Sequence, residues 1–196
     1  MTILFSGQTW TSLLNYALFQ AGWFVCVLGA AAGYPWLATA VGLLLVLVHL
    51  ALVRNAARES LLLLTSLLLG LVVDSIHILT GILVFPVGRI HPGLPPAWIL
   101  VLWLQFAMTL HYSLGWLTGR YFLGVLLGSA SGALAYWAGV RFGAAAFGVE
   151  LVHSLVQIGL SWGLTMLILL KISMLTAPKK IALTYRCFQA LPPPPF

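Results

Sequence analysis

The sequence predicts an all-α integral membrane protein, a bundle of about six transmembrane helices with both termini in the cytoplasm. Three observations carry this reading. Hydrophobic residues make up 62% of the chain against 6% charged, with a mean hydropathy of +1.08, far outside the composition of soluble domains. The apolar residues fall into runs of about 20, the length that a hydrocarbon core about 30 Å thick asks of a helix. The few cations stand at the ends of those runs, so the net charge of +6 reflects membrane orientation and not a nucleic-acid partner.

Taken in order, the spans are expected at residues 13–32, 35–53, 60–83, 97–117, 121–140 and 150–170. The first has no Lys or Arg ahead of it and no small-residue cleavage site that stands out, so it is expected to stay as a span. The second and fourth open on "YPW" at 34–36 and "PPAW" at 95–98. Proline there sets the helical φ where an amide hydrogen is not needed, and tryptophan suits the headgroup layer. Both starts are expected on one face of the membrane. The connection at 86–96, "PVGRIHPGLPP", is dense in Pro and Gly and reads as an exposed outer loop.

On the fifth span Gly124, Gly128 and Gly132 recur every fourth residue, with Gly139 and Gly143 beyond. Such a ladder lets another backbone come close, and Gly159 and Gly163 of the sixth span are its expected partner surface. Residues 1–176 read as a single polytopic membrane domain, followed by a basic, proline-ended cytoplasmic tail at 177–196. With six spans, Arg54, Arg58, Arg120, Lys171, Lys179, Lys180 and Arg186 share one side and only Arg89 and Arg141 the other. Cationic flanks resist translocation, which puts both termini inside.

One stretch departs from the apolar pattern: "GLVVDSIHILTG" at 70–81. At 100° per residue Gly70, Asp74, His77 and Gly81 share one sector of the third span. An ion at mid-bilayer costs roughly 2.5–3.5 kcal/mol even on the lenient insertion scale, so Asp74 is expected to face the protein interior. Two readings stay open there: a structural Asp–His pair or interhelical bond, and a reactive pair.

The sixth span adds a polar sector of Glu150, His153, Gln157 and Ser161. The fourth adds Gln105, Thr109, Tyr112 and Trp116, with His111 projecting away. If these stripes converge, Asp74, His77, Gln105, His153 and Gln157 line a cavity open to the outer leaflet, with Thr109 and Tyr112 on its fourth-span wall. Arg141 then either pairs with Glu150 or guards the mouth, unless it merely snorkels to the headgroups.

Other chemistry finds little support. "DSIH" and "ELVH" look like halves of a carboxylate-bridged metal site, but the only other acid, Glu59, lies at the opposite face of the membrane. No metal is assigned, and no cofactor is identified. The same two motifs sit at different depths in their spans, so they do not make an internal repeat of the kind transporters use. Nucleotide-binding glycine loops, zinc-type cysteine spacing and nucleophile elbows are missing, and Cys26 and Cys187 suggest no disulfide framework. Asn15, Gln20 and His49 read as isolated interhelical bonds.

The blocks "NYALFQAGWFVCVLGA" from Asn15, "PPAWILVLWLQFAMTLHYSLGWL" from Pro95 and "LGSASGALAYWAGVRFGA" from Leu127 resemble a bacterial family of small polytopic inner-membrane proteins, domain of unknown function 2878. The resemblance runs from about Asn15 to Leu170 and carries no catalytic signature. It implies a multi-pass inner-membrane protein with an acidic residue at the position of Asp74. It also implies an association with enzymes that modify unsaturated acyl chains.

The functional expectation is therefore an accessory factor or enzyme of membrane lipid metabolism. Membrane lipids would be its partners, together with a membrane-protein partner or a second copy of the chain. Two alternatives accompany it: a small proton-coupled transporter using Asp74, and a non-catalytic scaffold packed through its glycine faces.

Overall fold

The computed structural model describes residues 7–53 and 55–177, with backbone alone for 7–10. The tail from 178, with Lys179, Lys180 and Arg186, lies outside the described residues, as does Arg54. Six helices follow in chain order: α1 (Gly7–Ala31), α2 (Pro35–Leu52), α3 (Ala56–Leu79), α4 (Ala97–Ala107), α5 (Tyr121–Arg141) and α6 (Leu151–Thr176). Five of them, all but α4, are long and apolar enough to cross a membrane. We call the end where α1 begins and α6 finishes the basal end, and the opposite one distal.

Helix boundaries follow local chemistry. Pro35 opens α2 and Pro96 precedes α4. Asn55 caps α3 by accepting the Arg58 amide at 3.2 Å, so this helix starts earlier than expected. It also stops earlier, at Leu79, because Gly81 takes a left-handed φ of 75°. The amides of Ile82 and Gly81 then bond back to the carbonyls of His77 and Ile78, at 2.8 and 3.1 Å, closing the helix end. Gly143, at φ 87°, ends α5 in the same way.

The released segments pair as a short antiparallel ribbon, β1 (Leu83–Val84) with β2 (Ala146–Phe147). That ribbon ties the α3–α4 and α5–α6 connections together at the distal end. Nothing in the local pattern announces it. The two proline openings are indeed neighbours at this end, since a side chain on Gly88 would touch both Pro35 and Trp98.

The fourth span needs correction. A helix was expected through 117, but α4 has 11 residues, about 16 Å of rise. Beyond Ala107 the chain runs through tight turns, with Thr109, Leu110 and Tyr112 each bonded three residues back, to a 3₁₀ turn at Gly115–Leu117. Asn15 of α1 sustains this irregular backbone: its Nδ2 donates to the Met108 carbonyl at 3.1 Å and its Oδ1 accepts the Ser113 hydroxyl at 2.8 Å. Non-helical backbone at such depth survives only where protein supplies the missing bonds.

α4 packs against α1, α2 and α3, and α3 also packs against α6. α5 rests chiefly on α6. A side chain grown on Gly124, Gly128 or Gly132 would strike Leu170, Met166 or Trp162. The ladder therefore receives large side chains of α6 instead of bringing two bare backbones together, while Gly159 and Gly163 of α6 face Ser129. Gly132→Ala should cost about 1–3 kcal/mol of stability by overpacking against the Trp162 ring. A detergent-unfolding midpoint equal to wild type would show that the ring can yield without loss.

Candidate functional site

Asp74 is fully buried, 0% exposed, on the face that α3 turns toward α4 and α6. One turn earlier Gly70 leaves room for the Trp103 ring of α4. That close approach lets the indole Nε1 donate to Asp74 Oδ2 at 2.7 Å. From α5, Tyr136 donates its hydroxyl to Oδ1 at 2.6 Å. Each carboxyl oxygen thus accepts from a different helix, which meets the requirement that a buried polar group be matched.

His77 completes the set without a hydrogen bond to Asp74. Its Nδ1 lies 3.7 Å from Oδ1, while its Nε2 is 3.0 Å from the Ser161 hydroxyl of α6. Trp103 stacks on Trp162 at 4.5 Å between ring centroids, and Trp162 seats in the space left by Gly132. Asp74 is consequently the node of a rigid block joining α3, α4, α5 and α6.

That block forms one wall of a cavity of about 770 Å³ between α1, α4 and α5. Trp103 and Tyr136 line it; Asp74 stands behind them. The floor is buried, with Phe85, Trp98 and Trp103 at 1–2% exposure, whereas the rim residues Tyr16 and Leu134 are 52% and 62% exposed. Apolar side chains dominate, and the lining contains no Asp, Glu, His, Lys or Arg. The cavity's exposed rim lies between α1 and α5.

The polar stripes do not converge as expected. Gln105 is buried, but its amide nitrogen donates to the Gly42 carbonyl of α2 at 3.1 Å and its side chain abuts Gly22 of α1. Two residues along a helix is about 200°, so Trp103 and Gln105 point to opposite sides of α4. Thr109 and Tyr112 leave the stripe because the helix ends first. Thr109 bonds the Phe106 carbonyl at 2.6 Å, and Tyr112 packs edge-on against His49 at the basal end.

His153 and Gln157 are exposed on the outer face of α6, and Arg141 and Glu150 are exposed too. Among the described residues the ion pairs are all between histidine and carboxylate, so no Arg141–Glu150 pair forms. "DSIH" and "ELVH" consequently do not face each other. Among the described residues no group of three His, Cys, Asp or Glu is arranged to hold a metal ion.

A second polar cluster lies at the basal end, built from residues that the sequence places on separate segments. Glu59, 4% exposed, takes His49 Nε2 of α2 at 3.0 Å on one oxygen and His111 Nδ1 at 2.7 Å on the other. The far nitrogen of His111 meets the Ser173 carbonyl at 3.0 Å and the Thr176 hydroxyl at 3.1 Å, both on α6. This cluster joins four parts of the chain. A signal for its first pair existed: His49 and Glu59 flank the tight α2–α3 link and so must lie side by side. Tyr136 also had one, being the polar residue that continues the face of Gly128 and Gly132 by one more turn.

Residues 12–168 match the sequence model of a family described as "Protein of unknown function (DUF2878)". No curated protein and no solved structure matches the chain.

Proposed function

We propose that this chain, which belongs to the DUF2878 family, takes the acyl chain of a membrane lipid into the lateral cavity and serves membrane lipid metabolism as an accessory factor or enzyme. The supporting observation is the cavity itself: about 770 Å³, apolar, with a buried floor and an exposed rim between α1 and α5. Ligand pockets run to roughly 300–1,000 Å³ and are mostly apolar with a few placed polar groups. A cavity without ionic side chains suits a hydrocarbon chain better than an ion or a polar solute.

In this reading Asp74 and His77 are positioning residues. Asp74 holds Trp103 and Tyr136 in the wall, and His77 links α3 to α6. The protein sits in the bacterial inner membrane with its basal end toward the cytoplasm, in keeping with the distribution of its cations.

Filling the groove tests the reading. Ala135 lines it on α5, and Ala135→Trp should sharply reduce the lipid that copurifies with the protein, while helix content stays at the wild-type level. In cells lacking the gene, an altered acyl composition should be restored by wild type and not by the filled variant. An unchanged lipid complement in both assays would overturn it. Altered proton or solute flux in that case would point to a carrier, and loss of a partner complex to a scaffold.

A further inference from the structure

The basal cluster holds more hydrogen-bond acceptors than a neutral histidine can serve. The His111 side chain is 5% exposed, and both of its ring nitrogens face oxygen. Nδ1 stands 2.7 Å from the Glu59 carboxyl, and Nε2 stands 3.0 Å from the Ser173 carbonyl of α6. A carbonyl only accepts, so Nε2 needs a hydrogen to bond it, and a neutral imidazole has one hydrogen to give. With that hydrogen used on Ser173, the bond at Nδ1 requires a second. The ring carries it as an imidazolium, or Glu59 carries it as the neutral acid. Both forms hold one proton more than a carboxylate and a neutral imidazole bring together.

Thr176 does not remove the requirement. Its hydroxyl is 3.1 Å from Nε2 but also 2.9 Å from the Ile172 carbonyl, the usual back-bond of a helical threonine. Turned toward Nε2 it would allow a neutral ring, yet the Nε2 lone pair would then face the Ser173 oxygen at 3.0 Å. Among the described residues, the other titratable and charged groups at this end take no part in that proton. His49 donates from Nε2 to the second Glu59 oxygen in either charge state, with Tyr112 edge-on to its ring. Arg58 bonds the Ala177 carbonyl at 3.3 Å, a tie that does not titrate. Arg120 lies over the Trp116 ring, Tyr121 turns its hydroxyl to Met174, and Lys171 is exposed.

Ser173 and Thr176 belong to the last turn of α6, where carbonyls have no partner within the helix. We infer that a single proton shared between Glu59 and His111 fastens this turn to the bundle, making the basal end a pH-sensitive latch. The inference is independent of the groove. In the released state His111 gives up its proton above about pH 6.5, the ordinary histidine value. Below that both states hold the proton and the latch has its full strength. As the pH rises, proton loss favours the released state and the latch weakens.

The test uses the full-length protein in detergent, with heavy nitrogen in its five histidine rings, and NMR to read the protonation of each ring nitrogen. His111→Gln identifies the signal by its loss. Nε2 of His111 should carry a hydrogen below about pH 6.5. Amide exchange over the last turn of α6, taken relative to α5 to cancel the direct effect of pH, should be about tenfold slower there than in alkali, the scale of one hydrogen bond to a charged group. Glu59→Gln offers an amide hydrogen to Nδ1 and an oxygen to His49, so the same bonds form without a titrating proton and the pH dependence should vanish. Thr176→Val should keep the slow exchange on the acid side.

A His111 ring with a bare Nε2 at every pH would overturn the latch, as would wild-type exchange that ignores pH. Dependence that survives in Glu59→Gln would place the titrating group elsewhere and overturn it too. Release of the turn in Thr176→Val on the acid side would do the same, because the hydroxyl and not the proton would then be holding the ring.

Discussion

Asp74→Ala should destabilise the bundle by about 1–3 kcal/mol for each of the two donors it strands. Trp103 and Tyr136 reach the fully buried carboxyl at 2.7 and 2.6 Å from separate helices. Asp74→Asn should cost less, because its amide keeps an accepting oxygen for the Trp103 indole and can donate its NH2 to the oxygen of the Tyr136 hydroxyl. The measurements are the midpoint of unfolding in detergent and the tryptophan emission, which should shift as the Trp103–Trp162 stack loosens. A cycle with Tyr136→Phe isolates the Asp–Tyr bond. Independent, additive effects of the two substitutions would dismiss Asp74 as the node of the wall.

Breaking the basal cluster should have an effect at least as large. Glu59→Ala removes the partner of His49 and His111 together, and each buried polar group left without its bond costs about 1–3 kcal/mol. Glu59→Gln retains an oxygen for one histidine and should fall between the alanine variant and wild type. His111 also holds α6 through Ser173 and Thr176, so His111→Ala should loosen the end of that helix, read as faster amide exchange over its last turns. Wild-type stability in Glu59→Ala would mean that the cluster is wet and contributes nothing to holding the bundle.

The two acids lie 15 residues apart on α3, about 22 Å of helix, and between them Leu62 and Leu63 are buried against apolar neighbours. Each acid therefore organises its own end of the bundle. The distal one orders the wall of the cavity; the basal one fastens three helices and the segment after α4.

What could be read without coordinates was whatever a local free-energy cost imposes. Long apolar runs must be helical in a membrane because every backbone amide needs a partner within the run. Asp74 had to turn inward because no acid tolerates hydrocarbon unaided. Proline placed the start of α2, and the four-residue spacing of Gly124, Gly128 and Gly132 put them on one face.

What only the tertiary structure decided is which distant group meets each local need. α4 ends at Ala107 because Asn15, 93 residues from Met108, satisfies the irregular backbone beyond it. Glu59 is buried because histidines 10 and 52 residues away reach its two oxygens. Gln105 turns from the cavity because Gly22 and Gly42 leave it a niche on the other side. Periodicity places a side chain on a helix face, but partners brought close by packing determine what that face touches, and those contacts carry the energies that shape the site.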